Sequence, residues 1–169
     1  MKKIFTILAI LMFSSIVFAQ KAGDKFPLSA SDYYDNPMGT EIFRENKITM
    51  VNIWATYCSP CINEMPDLTR IENAYSSKGV AVVGLAYDVW DEETRKTFES
   101  ILDKTEAYYL QLIPNYKDYA MYGLLSGLTG VPTTFFVDRY GRQIGEPYVG
   151  SNSYKEWASI IDKLLAQQY

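Results

Sequence analysis

The chain has 169 residues, 48% of them hydrophobic and 21% charged, which suits one domain with a sizeable core and excludes a disordered or repetitive chain. Its formal charge is −4 and no basic stretch could neutralise phosphates, so a nucleic-acid partner is not expected. Histidine is absent, which excludes Ser-His and Cys-His catalytic pairs, and two cysteines alone cannot make a four-ligand zinc site.

The first element is a leader. Lys2 and Lys3 precede an apolar run from Ile4 to Phe18, and Val17-Phe18-Ala19 places small residues at −3 and −1 of a cut before Gln20. This pattern predicts a cleaved signal peptide over 1–19 and a mature domain over 20–169, outside a bacterial cytoplasm in the periplasm or an equivalent space. The apolar run is short for a membrane span, so an uncleaved amino-terminal anchor is the lesser alternative. Removing the two lysines takes the charge from −4 to −6.

Residues 22–46, punctuated by Pro27, Asp35-Asn36-Pro37 and Gly39, predict an amino-terminal hairpin or extended cover. Ile48 to Ala55 reads as a buried strand. Ile62, Met65, Leu68, Ile71 and Tyr75 mark a helix from Ser59 to about Ser77, kinked at Pro66. A second buried strand runs from Val80 to Tyr87, and Asp91-Glu92-Glu93 opens a helix to about Lys104. A short strand at 108–112 and a helix near 115–125 follow. Tyr116, Tyr119 and Tyr122 recur there every three residues and predict a packed face. Thr133–Asp138, a turn at 139–142 and a return strand to Val149 form a hairpin, and Ser153-x-x-Glu156 is a capping box opening the last helix. The expected fold is α/β, a mixed central sheet flanked by helices.

The only cysteines, Cys58 and Cys61, fall where a buried strand stops and a helix starts. Backbone N–H groups and the macrodipole at a helix start stabilise a thiolate on Cys58, and Ser59-Pro60 suits a first turn. Cys58 is expected to be the more exposed sulfur and Cys61 to face inward. A static bridge is the rival reading. Closing so small a loop gains only about 2 kcal/mol, against about 3 for a fifteen-residue loop, so a staple is poorly served by this spacing.

The segment Trp54-Ala-Thr-Tyr-Cys-Ser-Pro-Cys-Ile-Asn-Glu-Met-Pro66 resembles the active-site segment of the thioredoxin superfamily, and more narrowly its extracytoplasmic TlpA/ResA-like branch. Gly130-Val131-Pro132-Thr133-Thr134-Phe135 resembles that superfamily's cis-proline loop. The resemblance covers about 22–167 and implies a thioredoxin-like fold with an amino-terminal hairpin extension and a strand-helix insertion over 91–125. It implies that Cys58 is the nucleophile, Cys61 the resolving cysteine, and Pro132 a cis residue beside the disulfide. Trp54, Tyr57, Ser59, Pro60 and Val131 are the implied partner-binding positions, the backbone at Val131 pairing with an extended peptide. Tyr57 departs from the tryptophan common just before the first cysteine, which leaves partner identity open. Asn52 replaces the buried aspartate of cytoplasmic thioredoxins. Glu64, three residues after Cys61, matches the acid of this branch and is placed to exchange a proton with it.

The expected function is a thiol–disulfide oxidoreductase that reduces disulfides of periplasmic partner proteins and is recharged by a membrane electron donor. The redox-active disulfide is the only cofactor implied: no nicotinamide, flavin or metal. An oxidase or isomerase on the same fold, and a non-catalytic binding module with an inert disulfide, remain the alternatives.

Overall fold

The computed structural model describes residues 21–167; the expected leader over 1–19 lies outside them. Seven strands form one mixed sheet: β1 (Ser29–Asp32), β2 (Pro37–Gly39), β3 (Ile48–Trp54), β4 (Val80–Ala86), β5 (Leu110–Pro114), β6 (Thr133–Asp138) and β7 (Gln143–Val149). The order across the sheet is β2-β1-β5-β4-β3-β6-β7. β3 and β5 run parallel to β4, while β6 lies antiparallel to β3 and β7 to β6. The expected amino-terminal hairpin is β1 with β2, and β1 joins the sheet through β5. Four α-helices, α1 (Ser59–Tyr75), α2 (Glu92–Thr105), α3 (Tyr119–Ser126) and α4 (Tyr154–Ala166), and two short 3-10 helices, Thr40–Phe43 and Ser76–Lys78, complete the described residues. None of them is long and apolar enough to cross a membrane.

Strand alternation divides the core into two layers. Met50 and Trp54 of β3, Val82 of β4 and Phe136 of β6 face α1, α2 and α4, meeting Met65, Leu68, Phe98, Trp157 and Ile161. Val51 and Ile53 of β3, Leu85 of β4 and Phe135 of β6 face the other way, meeting Met121 and Leu124 of α3 with Phe26 and Phe43 of the amino-terminal segment. One side of β3 therefore looks at α1 and α4, and every even-numbered residue of that strand shares it, Asn52 included.

The helix starts are written in the sequence. Asp91 and Thr94 close a capping box on α2, and Ser153 and Glu156 close the expected one on α4. α1 runs through Pro66 unbroken, with Pro66 on its exposed side. Two elements start later than expected. β5 begins at Leu110 because its bounds follow its neighbours: Leu110 to Leu112 pair with Val83 to Leu85, and Leu112 to Pro114 with β1. α3 begins at Tyr119 because Asn115 to Asp118 form a turn in which Asp118 caps the helix by accepting from the Met121 N–H. The expected packed tyrosine face is not formed. Tyr116 precedes the helix, and Tyr119 (93% exposed) and Tyr122 point to solvent, while Met121, Leu124 and Leu125 supply the buried side. A spacing of three drifts off a 3.6-residue period, whereas 121, 124 and 125 keep to it.

Candidate functional site

Cys58 and Cys61 are joined as a disulfide at the end of β3 and the start of α1. Cys58 is the N-cap of α1 in an extended conformation, and its Sγ accepts from the Cys61 N–H at 3.2 Å. That bond occupies the place a capping oxygen takes in other helices, so negative charge on Cys58 Sγ meets an N–H and the positive end of the helix dipole. Cys58 is 6% exposed and Cys61 1%, the order expected from the helix start, though both sulfurs are largely covered. The Val131–Pro132 peptide is cis, and the Val131 carbonyl oxygen lies 3.6 Å from Cys58 Sγ. Ser59 and Pro60 are exposed beside the cysteines, Val131 is half-buried and Pro132 buried. With both thiols joined and no histidine in the chain, the described residues hold no cluster suited to a soft metal.

Trp54 stands apart from this surface and corrects the expectation for it. It is fully buried, stacked on Phe98 of α2 at 5.7 Å between ring centroids, and its indole N–H donates to Gln111 Oε1 at 3.1 Å. Being an even-numbered residue of β3, it points under α2 and cannot meet a partner protein. The neighbouring backbone must come close for this: a Cβ on Gly84 would lie 2.1 Å from the same Gln111 oxygen.

Glu64 lies on the buried side of α1, 4% exposed. Its Oε1 accepts from the Asn152 N–H at 2.8 Å and the Trp157 indole N–H at 2.7 Å, and its Oε2 from the Asn52 amide at 3.3 Å. Burial pushes its pKa above the usual carboxylate range, the three donors oppose that, and Asp67 on the same helix adds to it. The Asn52 amide also donates to Thr134 Oγ1 at 3.0 Å, while Asn52 Oδ1 has no hydrogen-bond partner. Glu64 lines a polar cleft of about 360 Å³ with Asn63, Asp67, Asn152 and Ser153. Asn152 and Trp157 were not singled out by sequence. Their only signal was position, around the capping box of α4.

A second set of contacts holds the loop before Cys58. Asp88, buried at the end of β4, accepts from the Thr56 N–H at 2.9 Å and from the Thr56 hydroxyl at 2.7 Å. Tyr57, 68% exposed, meets Tyr87 edge-on and shares a hydrogen bond between their hydroxyls. That bond, more than burial, raises the Tyr87 pKa to about 12. Asp88→Asn removes one charged acceptor from a buried pairing, and the expected loss is about 2 kcal/mol of unfolding free energy, read from urea denaturation. An unchanged midpoint would mean that other contacts hold this loop.

A cavity of about 1410 Å³ is remote from the cysteines. It lies by the turn at 139–142, beyond the end of β6 that pairs with the start of β3, whereas Cys58 follows the end of β3. Thiol–disulfide exchange needs a reachable sulfur more than a deep pocket, so this cavity's distance from Cys58 does not count against exchange there.

The Redoxin family model matches residues 21–161. The thiol:disulfide interchange protein DsbE of Haemophilus influenzae is 31% identical over 144 residues, covering 82% of this chain and 73% of its own. The thiol-disulfide oxidoreductase ResA of Oceanobacillus iheyensis is 27% identical over 124 residues, covering 73% of this chain and 60% of its own. Among solved structures, the thioredoxin domain of a thiol-disulfide oxidoreductase from Bacteroides vulgatus superposes with a TM-score of 0.71, covering 87% of this chain and 99% of that one. Its 19% identity makes this a likeness of fold. The sequence match, spanning β1 to α4, settles the family: this chain belongs to the Redoxin family and is a thioredoxin-fold thiol–disulfide oxidoreductase.

Proposed function

We propose that the chain works outside the cytoplasm as a reductase of protein disulfides, with Cys58 as nucleophile, Cys61 as resolving cysteine and Glu64 as the proton carrier for Cys61. The carrying observation is Cys58 as N-cap of α1, its sulfur held by the Cys61 N–H with buried Glu64 one helical turn beyond Cys61. In the reduced protein the Cys58 thiolate attacks a substrate disulfide. The substrate S–S bond breaks, one substrate sulfur leaves as thiolate, and the other is bound to Cys58. Cys61 gives its proton to the Glu64 carboxylate and attacks Cys58 Sγ, releasing the second substrate thiolate and closing the Cys58–Cys61 bond. The substrate gains two electrons and the protein loses two. A membrane dithiol donor is then needed to return it to the reduced state, since such a compartment is kept oxidising.

The extracytoplasmic placement rests on the leader pattern at 1–19 and on relatives named for disulfide interchange. The direction rests on Glu64: a buried carboxyl near the pair disfavours thiolates when it is charged, which makes the dithiol the better electron donor. Equilibration against defined glutathione and dithiothreitol buffers tests it. A potential well below that of glutathione buffers is expected, and one near the roughly −120 mV of strong oxidants would make the protein an oxidase.

A further inference from the structure

We propose that the aromatic row Tyr57, Tyr87, Tyr116 and Trp90 is the substrate-selecting surface of this redox centre, and that it takes a disulfide-bearing polypeptide with an apolar side chain within a few residues of the attacked cysteine. The inference rests on Cys58 being the nucleophile. The row starts at the residue before Cys58 and is made of two ring pairs, both on or beside the loop that follows β4. The Tyr57 and Tyr87 rings meet at 6.4 Å between centroids, Asp88 ties the next position to Thr56, and the Trp90 ring meets Tyr116 at 6.0 Å. Trp90 is 65% exposed, in the loop joining β4 to α2 and not on a strand or helix face that a neighbouring element covers.

An indole left this open beside an exchange centre has a cost in water that a partner's apolar side chain removes. The platform is also held before any partner arrives. The Trp90 backbone N–H donates to Thr94 Oγ1 at 3.3 Å, Asp91 caps α2, and the Tyr57 and Tyr87 hydroxyls are bonded to each other. Little freedom is lost when a side chain settles on rings whose backbone is already held, which is the condition under which aromatic anchors dominate binding. A substrate that must place its disulfide at Cys58 has the residues beside its cysteine over Tyr57 and, a few residues on, over Trp90. This continuity with the reacting sulfur is what commits the surface to the substrate chain itself.

Two synthetic cysteine peptides, each as its mixed disulfide with glutathione, test this. One carries leucine on both sides of the cysteine at one and three residues' distance, and the other carries serine there. The full-length reduced protein is expected to favour the leucine peptide by about tenfold in kcat/KM, mostly through KM, the size of effect one apolar contact supplies. In Trp90→Ala the ratio falls towards 1, and Trp90→Phe restores most of it. A leucine-to-serine ratio near 1 in wild type, or one that Trp90→Ala leaves intact, overturns the inference while leaving the redox reading standing. If wild type reduces neither peptide, the redox reading fails and this inference with it.

Discussion

Cys58→Ser is expected to lower protein-disulfide reduction by about 10³-fold or more, while Cys61→Ser keeps the first attack and stalls the cycle at the mixed disulfide. The difference follows from where the two sulfurs sit. Cys58 Sγ receives the Cys61 N–H at the start of α1 and is the more exposed of the pair. A serine hydroxyl there stays protonated at neutral pH and leaves no nucleophile, and losses of that order or greater follow removal of a covalent catalyst. Cys61 is buried behind it, so its replacement spares the outer sulfur and removes only the internal attack that frees the substrate. Non-reducing electrophoresis of Cys61→Ser with a disulfide substrate should show a covalent adduct that dithiothreitol dissolves. A Cys58→Ser protein with unchanged activity would turn the bridge into a structural feature and overturn the proposed chemistry.

Glu64→Gln should slow release of the second substrate thiol by about 10²-fold near neutral pH, the range of positioned acid–base groups. The side chain keeps its volume, and its amide oxygen can still accept from Asn152 and the Trp157 indole. Its new NH₂ meets Asn52, whose unpartnered Oδ1 becomes the acceptor once that amide turns over, with the Thr134 hydroxyl able to donate in return. The same orphan oxygen is what a protonated Glu64 needs, so the pocket is built to hold the carboxyl in either state.

The pH dependence has a definite sign. Burial raises the Glu64 pKa in the folded protein, so folding favours its protonated form. That contribution to stability is full below the ordinary glutamate pKa and is lost as pH rises through the raised value. Wild-type unfolding midpoints should therefore fall across that window and Glu64→Gln midpoints should not. The pH profile of thiol release should lose the matching inflection in the variant. An inflection that survives the substitution would belong to another group, and Glu64 would not be the proton carrier.

How far the sequence could be read depends on the range of the interactions involved. The chemistry of the cysteine pair was legible because a helix start is local: Cys58, Ser59, Pro60 and Cys61 lie within one turn, and capping and dipole act over that distance. The element order and the capping box that opens α4 were legible for the same reason. Tyr116, Tyr119 and Tyr122 misled because a spacing of three is compatible with a helix without lying on its buried stripe, and the Asp118 cap moved the helix start past the first of them.

Trp54 misled in another way. It belongs to the motif by sequence, yet strand alternation turns it into the core, against Phe98 and Gln111. The sequence alone determined that two cysteines stand at the start of one helix, with an acid one turn further on. Only the tertiary structure decided the state of that acid, because its donors come from strand β3 and from the start of α4, 12 to 93 positions away in the chain. Desolvation and hydrogen bonding depend on what surrounds a carboxyl in three dimensions, and spacing along one helix carries no record of it.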